Sequence, residues 1–169
     1  MRKILLLCIF FGAVFALSLQ DFSHIKPTAS GRFVQTKALA NFPVKLFSSG
    51  EFSLLDGTLL WSVIKPAKSS AKITQDGVFV LQNGVWVASK SFSKEFFLPL
   101  LTFDFDALKS KFDFVLSGEK SAWQVELLPK GFFVKKAIKK VVLKGGEVLK
   151  SAEIFEPNGD YTKTEFFVK

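Results

Sequence analysis

Cysteine and histidine are nearly missing: the 169 residues hold one of each, and a single tyrosine. One thiol excludes a disulfide within the chain. One thiol and one imidazole cannot build a His/Cys metal cage, nor catalysis that needs several histidines. No G-x-S-x-G elbow, P-loop, dinucleotide fingerprint or calcium loop occurs, so nothing calls for a cofactor or points to an enzyme. Charged residues make up only 22% of the chain while 49% is hydrophobic, which excludes disorder. What is abundant is phenylalanine, with 21 residues, and positive charge, with 23 Lys+Arg against 15 Asp+Glu. The chain is one domain long, greasy and basic.

The first residues read as an address. Arg2 and Lys3 precede an apolar run over 4–17, about 14 residues and too short for a hydrocarbon core of ~30 Å. Val14-Phe15-Ala16 offers small enough residues at −3 and −1, so 1–16 is expected to be a signal peptide cleaved after Ala16. An uncleaved anchor is the alternative. Leu5-Leu6-Leu7-Cys8 is not a lipidation signal, because the apolar run before it is short and the two preceding residues are not small. Residues 17–169 then form a single domain without thiols, which suits the periplasm.

Asp56-Gly57, Asp76-Gly77, Asn83-Gly84, Gly145-Gly146 and Asn158-Gly159-Asp160 punctuate that domain. Asn-Gly and Asp-Gly supply the positive φ of tight hairpins. Between them lie eleven strand-like runs: 32–39, 47–55, 58–64, 71–75, 78–82, 85–88, 112–117, 122–127, 139–144, 148–155 and 161–168. Short strands at this spacing mean an antiparallel sandwich, a barrel or a large curved sheet. Two stretches break the rhythm. Residues 17–25 suit a short helix ended by Pro27. Residues 93–111 suit a helical insert: Ser93 as N-cap, Phe96, Phe97, Leu100 and Leu101 at helical spacing, Pro99 early or at a kink, and Asp106 capping a second turn. Several runs are apolar on both faces, so a second layer or a cavity must cover one of them.

The polar residues offer little chemistry. His24 has no nucleophile partner in any recognisable motif. Asp104 and Asp106, two apart, do not share a helix face and read as capping residues. Lys135, Lys136, Lys139, Lys140 and Lys144 form a basic stretch. It reads as a solvated face, or as a weak attraction for anionic headgroups, rather than a nucleic-acid site, since the phenylalanines are not interleaved with it.

A family resemblance emerges from the order of short motifs. Phe33-Val34-Gln35, Ser49-Gly50-Glu51-Phe52, Leu59-Leu60-Trp61 with Pro66, and Ile73-Thr74-Gln75-Asp76-Gly77 are followed by the Trp123 strand with Leu127 and Pro129. Asn158-Gly159-Asp160 then precedes a last strand with Phe166. Together they resemble the LolA family of periplasmic lipoprotein carriers, in a divergent LolA-like form. The resemblance implies a mainly β fold with an α lid: an incomplete, strongly curved antiparallel β-barrel of 10–11 strands, its concave face covered by short helices. It implies a monomeric carrier that takes acylated lipoproteins from an inner-membrane ABC transporter to an outer-membrane receptor and binds no nucleic acid. The family latches its lid with an arginine in the strands before the Trp. Residues 51–60 contain no Arg or Lys, and Arg32 lies too far N-terminal to replace it.

On this reading Phe96, Phe97, Leu100 and Leu101 form the lid's apolar face. Phe33, Phe52, Leu54, Trp61, Phe79, Leu81 and Trp86 line the sheet side of the cavity. The second set depends on strand parity, since a one-residue slip swaps faces. Two alternatives remain: a carrier of another acylated lipid or glycolipid, and a small outer-membrane β-barrel.

Overall fold

The computed structural model describes Ser18, Phe22 and residues 30–89 and 94–168, with residues 94–97 described by backbone alone. The expected signal peptide, most of the 17–25 segment and His24 lie outside these. Eleven strands form one sheet: β1 (Ser30–Ala38), β2 (Lys45–Leu55), β3 (Thr58–Lys65), β4 (Ser69–Ile73), β5 (Val78–Gln82), β6 (Val85–Ser89), β7 (Phe112–Glu119), β8 (Ala122–Pro129), β9 (Lys140–Gly145), β10 (Leu149–Phe155) and β11 (Tyr161–Val168). Each matches one of the expected runs, with ends shifted by a residue or two.

The strand order is β6-β5-β4-β3-β2-β1-β11-β10-β9-β8-β7, and every adjacent pair is antiparallel. The chain therefore makes two meanders, stitched together by its first and last strands. The free edges are β6 and β7, which follow one another in sequence. Flat, ten spacings of ~4.8 Å would span about 48 Å. Yet Ile73 of β4, Val78 of β5, Phe112 of β7 and Leu127 of β8 belong to one buried cluster. The sheet must curl to bring them together, as expected of an incomplete barrel.

Two hairpins explain part of the register. Asp56 and Gly57 have φ of 48° and 71°, and Asn83 and Gly84 have 50° and 80°. Positive φ at both central positions is what a two-residue turn matched to strand twist requires. Leu55 accordingly pairs with Thr58, and Gln82 with Val85. Gly145-Gly146 is no such turn. Gly145 ends β9 and lies against the Trp123 indole, where a side chain would collide with the ring.

The helical insert is present as α1 (Lys94–Thr102) and α2 (Phe105–Leu108), with Pro99 inside α1. The cap of the second turn differs from expectation. Asp104 is the N-cap, its Oδ1 accepting from Ala107 N at 3.0 Å, while Asp106 sits in the first turn and pairs with Lys109. A carboxylate at 104 reaches an amide that helix hydrogen bonding leaves unpaired. A third helix, α3 (Phe132–Ala137), joins β8 to β9 where only a basic stretch was read.

Candidate functional site

Cross-strand register assigns every strand residue to a face, because opposed residues point the same way. Phe33 opposes Gly50 and Phe166, Phe52 opposes Trp61, and Leu54 opposes Leu59. Trp61 opposes Ala71, Ala71 opposes Val80, and Val80 opposes Val87. All these lie on one face with the buried cluster, and that face is concave. Phe33, Phe52, Leu54 and Trp61 therefore share the concave face. Leu100 and Leu101 of α1 are buried in the same cluster. The side chains of Phe96 and Phe97 lie outside the described residues.

Phe79, Leu81 and Trp86 are not on that face. Phe79 opposes Lys72, and Leu81 opposes Trp86, one residue out of phase with Val80 and Val87. They form a convex patch in which Lys72 Nζ lies 5.3 Å from the Phe79 ring and 5.2 Å from the Trp86 ring. The expected parity was off by one in β5 and β6. Both faces of these strands are apolar, so periodicity alone could not choose, and the bulkier side chains looked more like a lining.

The concave residues that the sequence reading missed are valines. Val80 and Val63 are half-buried, Val87 is 41% exposed and Val85 is 63% exposed. With Trp61 they form an apolar strip across β3–β6. It deepens toward Leu59, Ile73 and Val78, which are buried. It opens toward the end of the sheet that carries the β1–β2, β5–β6, β8–β9 and β10–β11 connections. The Asn83-Gly84 turn pairs Val80 with Val87 and equally Leu81 with Trp86, so it sets the register without choosing the face.

The head of the strip is a rigid aromatic group. Phe33 stacks on Trp61 with centroids 3.8 Å apart, and Phe52 meets Phe166 edge-on at 5.6 Å. The group fits because Gly50 faces it: a side chain there would run into the Ser62 carbonyl and the Phe33 ring.

Beside the strip, β2, β1 and β11 turn polar. Gln35 Nε2 donates to Thr164 Oγ1 at 3.0 Å, and Ser48 Oγ donates to Gln35 Oε1 at 3.4 Å. Lys37, next along the same face, pairs with Glu156 at 3.3 Å and Asp160 at 3.8 Å. The trough thus has an apolar floor and one hydrogen-bonding wall. Arg32 points to the convex face, opposite Glu51 and Phe167, so it does not reach the lid.

Past that wall the concave face is solid. Phe112, Val125, Leu127, Val141, Leu143 and Leu149 are buried, and helices cover them. Phe105 meets Phe114 edge-on at 5.5 Å, and Phe22 and Phe103 both meet Trp123 edge-on. Trp123 Nε1 donates to the Gly146 carbonyl at 2.7 Å, so its buried polar atom is satisfied. On the convex face, burial first and Glu153 second raise the Tyr161 phenol above its ordinary value. Among the described residues no group of three or more His, Cys, Asp or Glu could hold a metal, and no helix is long and apolar enough to cross a membrane.

No family model and no curated protein matches the chain. Solved structures do align with it. A LolA superfamily protein from Nitrosomonas europaea aligns at 9% identity and a TM-score of 0.46, over 88% of this chain and 89% of that one. LprF from Mycobacterium bovis aligns at 10% identity and a TM-score of 0.37, over 90% and 93%. An outer membrane lipoprotein-sorting protein domain from Vibrio parahaemolyticus aligns at 9% and 0.31, over 87% of each.

Proposed function

We propose that this protein is a periplasmic carrier that shelters the acyl chains of a lipoprotein, or of another acylated lipid, on the strip between Trp61 and Val85. One observation carries the reading. A solvent-open apolar strip lies on the concave face of a sheet whose other wing is fully packed. An unneeded core would be covered; a receiving surface has to stay reachable. The strip's floor of Trp61, Val63, Val80, Val85 and Val87 has no group that could move a proton or attack a bond, which favours binding over catalysis. Each acyl CH₂ taken from water gains ~0.8 kcal/mol, so a sixteen-carbon chain is worth on the order of 12 kcal/mol if wholly sheltered. A floor left partly open recovers only part of that, and this keeps release feasible. α1 closes over the cargo as a lid, with Leu100 and Leu101 exchanging core contacts for cargo contacts. The polar wall of Gln35, Ser48 and Thr164 faces the cargo's head. Loading from an inner-membrane ABC transporter and delivery to an outer-membrane receptor complete the cycle.

The barrel alternative needs closure of the sheet and strands of about 9–11 residues. The described sheet ends at unpaired β6 and β7, and β4, β5 and β6 have five residues each. Osmotic-shock fractionation separates the two readings, because a carrier is released and a barrel stays with membranes. The direct test is mass spectrometry of the protein purified from its own cells, looking for a co-eluting acylated molecule. Val80→Asp and Val87→Asp should each abolish that co-elution. Undiminished loading in both variants sinks the proposal.

A further inference from the structure

The two ends of the sheet differ in charge and in grease. At the end away from the trough mouth, the turns carry Asp56, Asp76, Glu119 and Glu147 against one lysine, Lys120. At the mouth end, the β1–β2 connection presents Phe42, 64% exposed, with Val44, Leu46 and Phe47 also exposed. On α3, Phe133 is 85% exposed beside exposed Phe132. Buried, these rings would strengthen the fold; exposed together, they mark a surface made for contact.

The β10–β11 connection lies between the two apolar tips. Ala40 N donates to Asp160 Oδ1 at 3.0 Å, which ties the β1–β2 connection to the β10–β11 connection. Pro157 of the latter lines a 580 Å³ cleft together with Lys135 and Lys139 from the α3 connection. Cations ring the grease: Lys45 beside the first tip, Lys135, Lys136 and Lys139 beside the second. The acids at this end are engaged elsewhere. Glu156 and Asp160 pair with Lys37, and Asp113 pairs with Lys130 at 2.8 Å. No salt bridge to another described residue neutralises Lys45, Lys135 or Lys139.

We propose that this end docks on an anionic phospholipid surface, with the Phe42 and Phe133 tips entering the interface and the lysines lying on the headgroups. Exposed aromatics between unpaired lysines fit a bilayer face, which is apolar just below an anionic layer. The acidic turns at the opposite end orient the molecule the same way, since an anionic surface repels them. The docked orientation sets the trough mouth toward the membrane. That consequence rests on the carrier reading; the docking itself does not.

Vesicle flotation tests it, with the protein as purified from its own cells and two vesicle types: phosphatidylcholine alone, and phosphatidylcholine with phosphatidylglycerol. Binding is expected only with phosphatidylglycerol and should fall as salt rises. Lys135→Glu and Lys139→Glu should each weaken it about fivefold or more, as loss of ~1 kcal/mol per lysine requires. Phe42→Ser with Phe133→Ser should abolish it, while Leu55→Ser, an exposed apolar at the far end, should leave it unchanged. Equal binding to both vesicle types, no binding to either, or undiminished binding by the Phe and Lys variants overturns docking. Acyl loading measured on the same samples reports on the carrier reading separately: loaded protein that ignores vesicles refutes docking alone.

Discussion

The same residue type has opposite fates on the two wings of one concave face. Val125 and Val141, on β8 and β9, have no exposed surface, whereas Val87 and Val85 on β6 are 41% and 63% exposed. All four are inward-facing valines on paired strands. What separates them is coverage. α2, Phe22 and Phe103 lie against Phe114 and Trp123, and nothing comparable among the described side chains lies on the outer part of β5 and β6. Hydrophobicity does not by itself decide what becomes core. The tertiary partner does, and the wing without one is where a guest can supply the missing contacts.

That contrast can be broken at several points. Trp123→Ala should have the largest effect, a loss of about 3–5 kcal/mol of stability in chemical denaturation, because it empties the packed wing. It also strips the Gly146 carbonyl of its buried donor. A loss below about 1 kcal/mol would mean that this wing does not dominate stability. Gly50→Ala should cost about 1–3 kcal/mol by driving a methyl into the Ser62 carbonyl and displacing Phe33, and the shift of the thermal midpoint would show it. Val87→Asp should change stability by only about 0.5 kcal/mol, since its side chain already meets water. Its acyl-chain binding, read by displacement of a fluorescent fatty acid, should nevertheless weaken at least about tenfold, or ~1.4 kcal/mol. Leu81→Ser, one strand over but on the convex face, should leave that binding unchanged. If Leu81→Ser impaired it as much as Val87→Asp, the receiving surface would be on the wrong side of the sheet.

Much of this architecture was legible in the residues. Runs of β-formers mark the strands, and Asp56-Gly57 and Asn83-Gly84 close two of the hairpins, since those dipeptides meet a backbone demand that few others meet. The insert over 93–111 was visible because Phe96, Phe97, Leu100 and Leu101 recur at a different period from the strands around them. The site was legible only in part. Phe33, Phe52 and Trp61 fall on the concave face, although Leu59, Leu60, Trp61, Val63 and Ile64 leave β3 without a clean alternation. In β5 and β6, Val78-Phe79-Val80-Leu81 and Val85-Trp86-Val87 offer a greasy residue at each position. Parity there is set by cross-strand register inherited from β3 and β4, which local pattern does not contain. α3 escaped notice because its six residues lack a side-chain cap, and Gly131, with φ of 69°, is the only irregular feature at its start.

Pairing β1 with β11 has a consequence for how the molecule comes into being. Gln35 and Thr164, which bond across that junction, are 129 residues apart. A nascent chain emerging N-terminus first can assemble its first six strands early, yet one flank of β1 stays bare until the final strand arrives. Closure over so long a separation is slow, and a bare flank invites wrong partners meanwhile. The middle of the finished sheet is thus its youngest seam, and a chain truncated by its last ten residues would leave two half-sheets with nothing to sew them together.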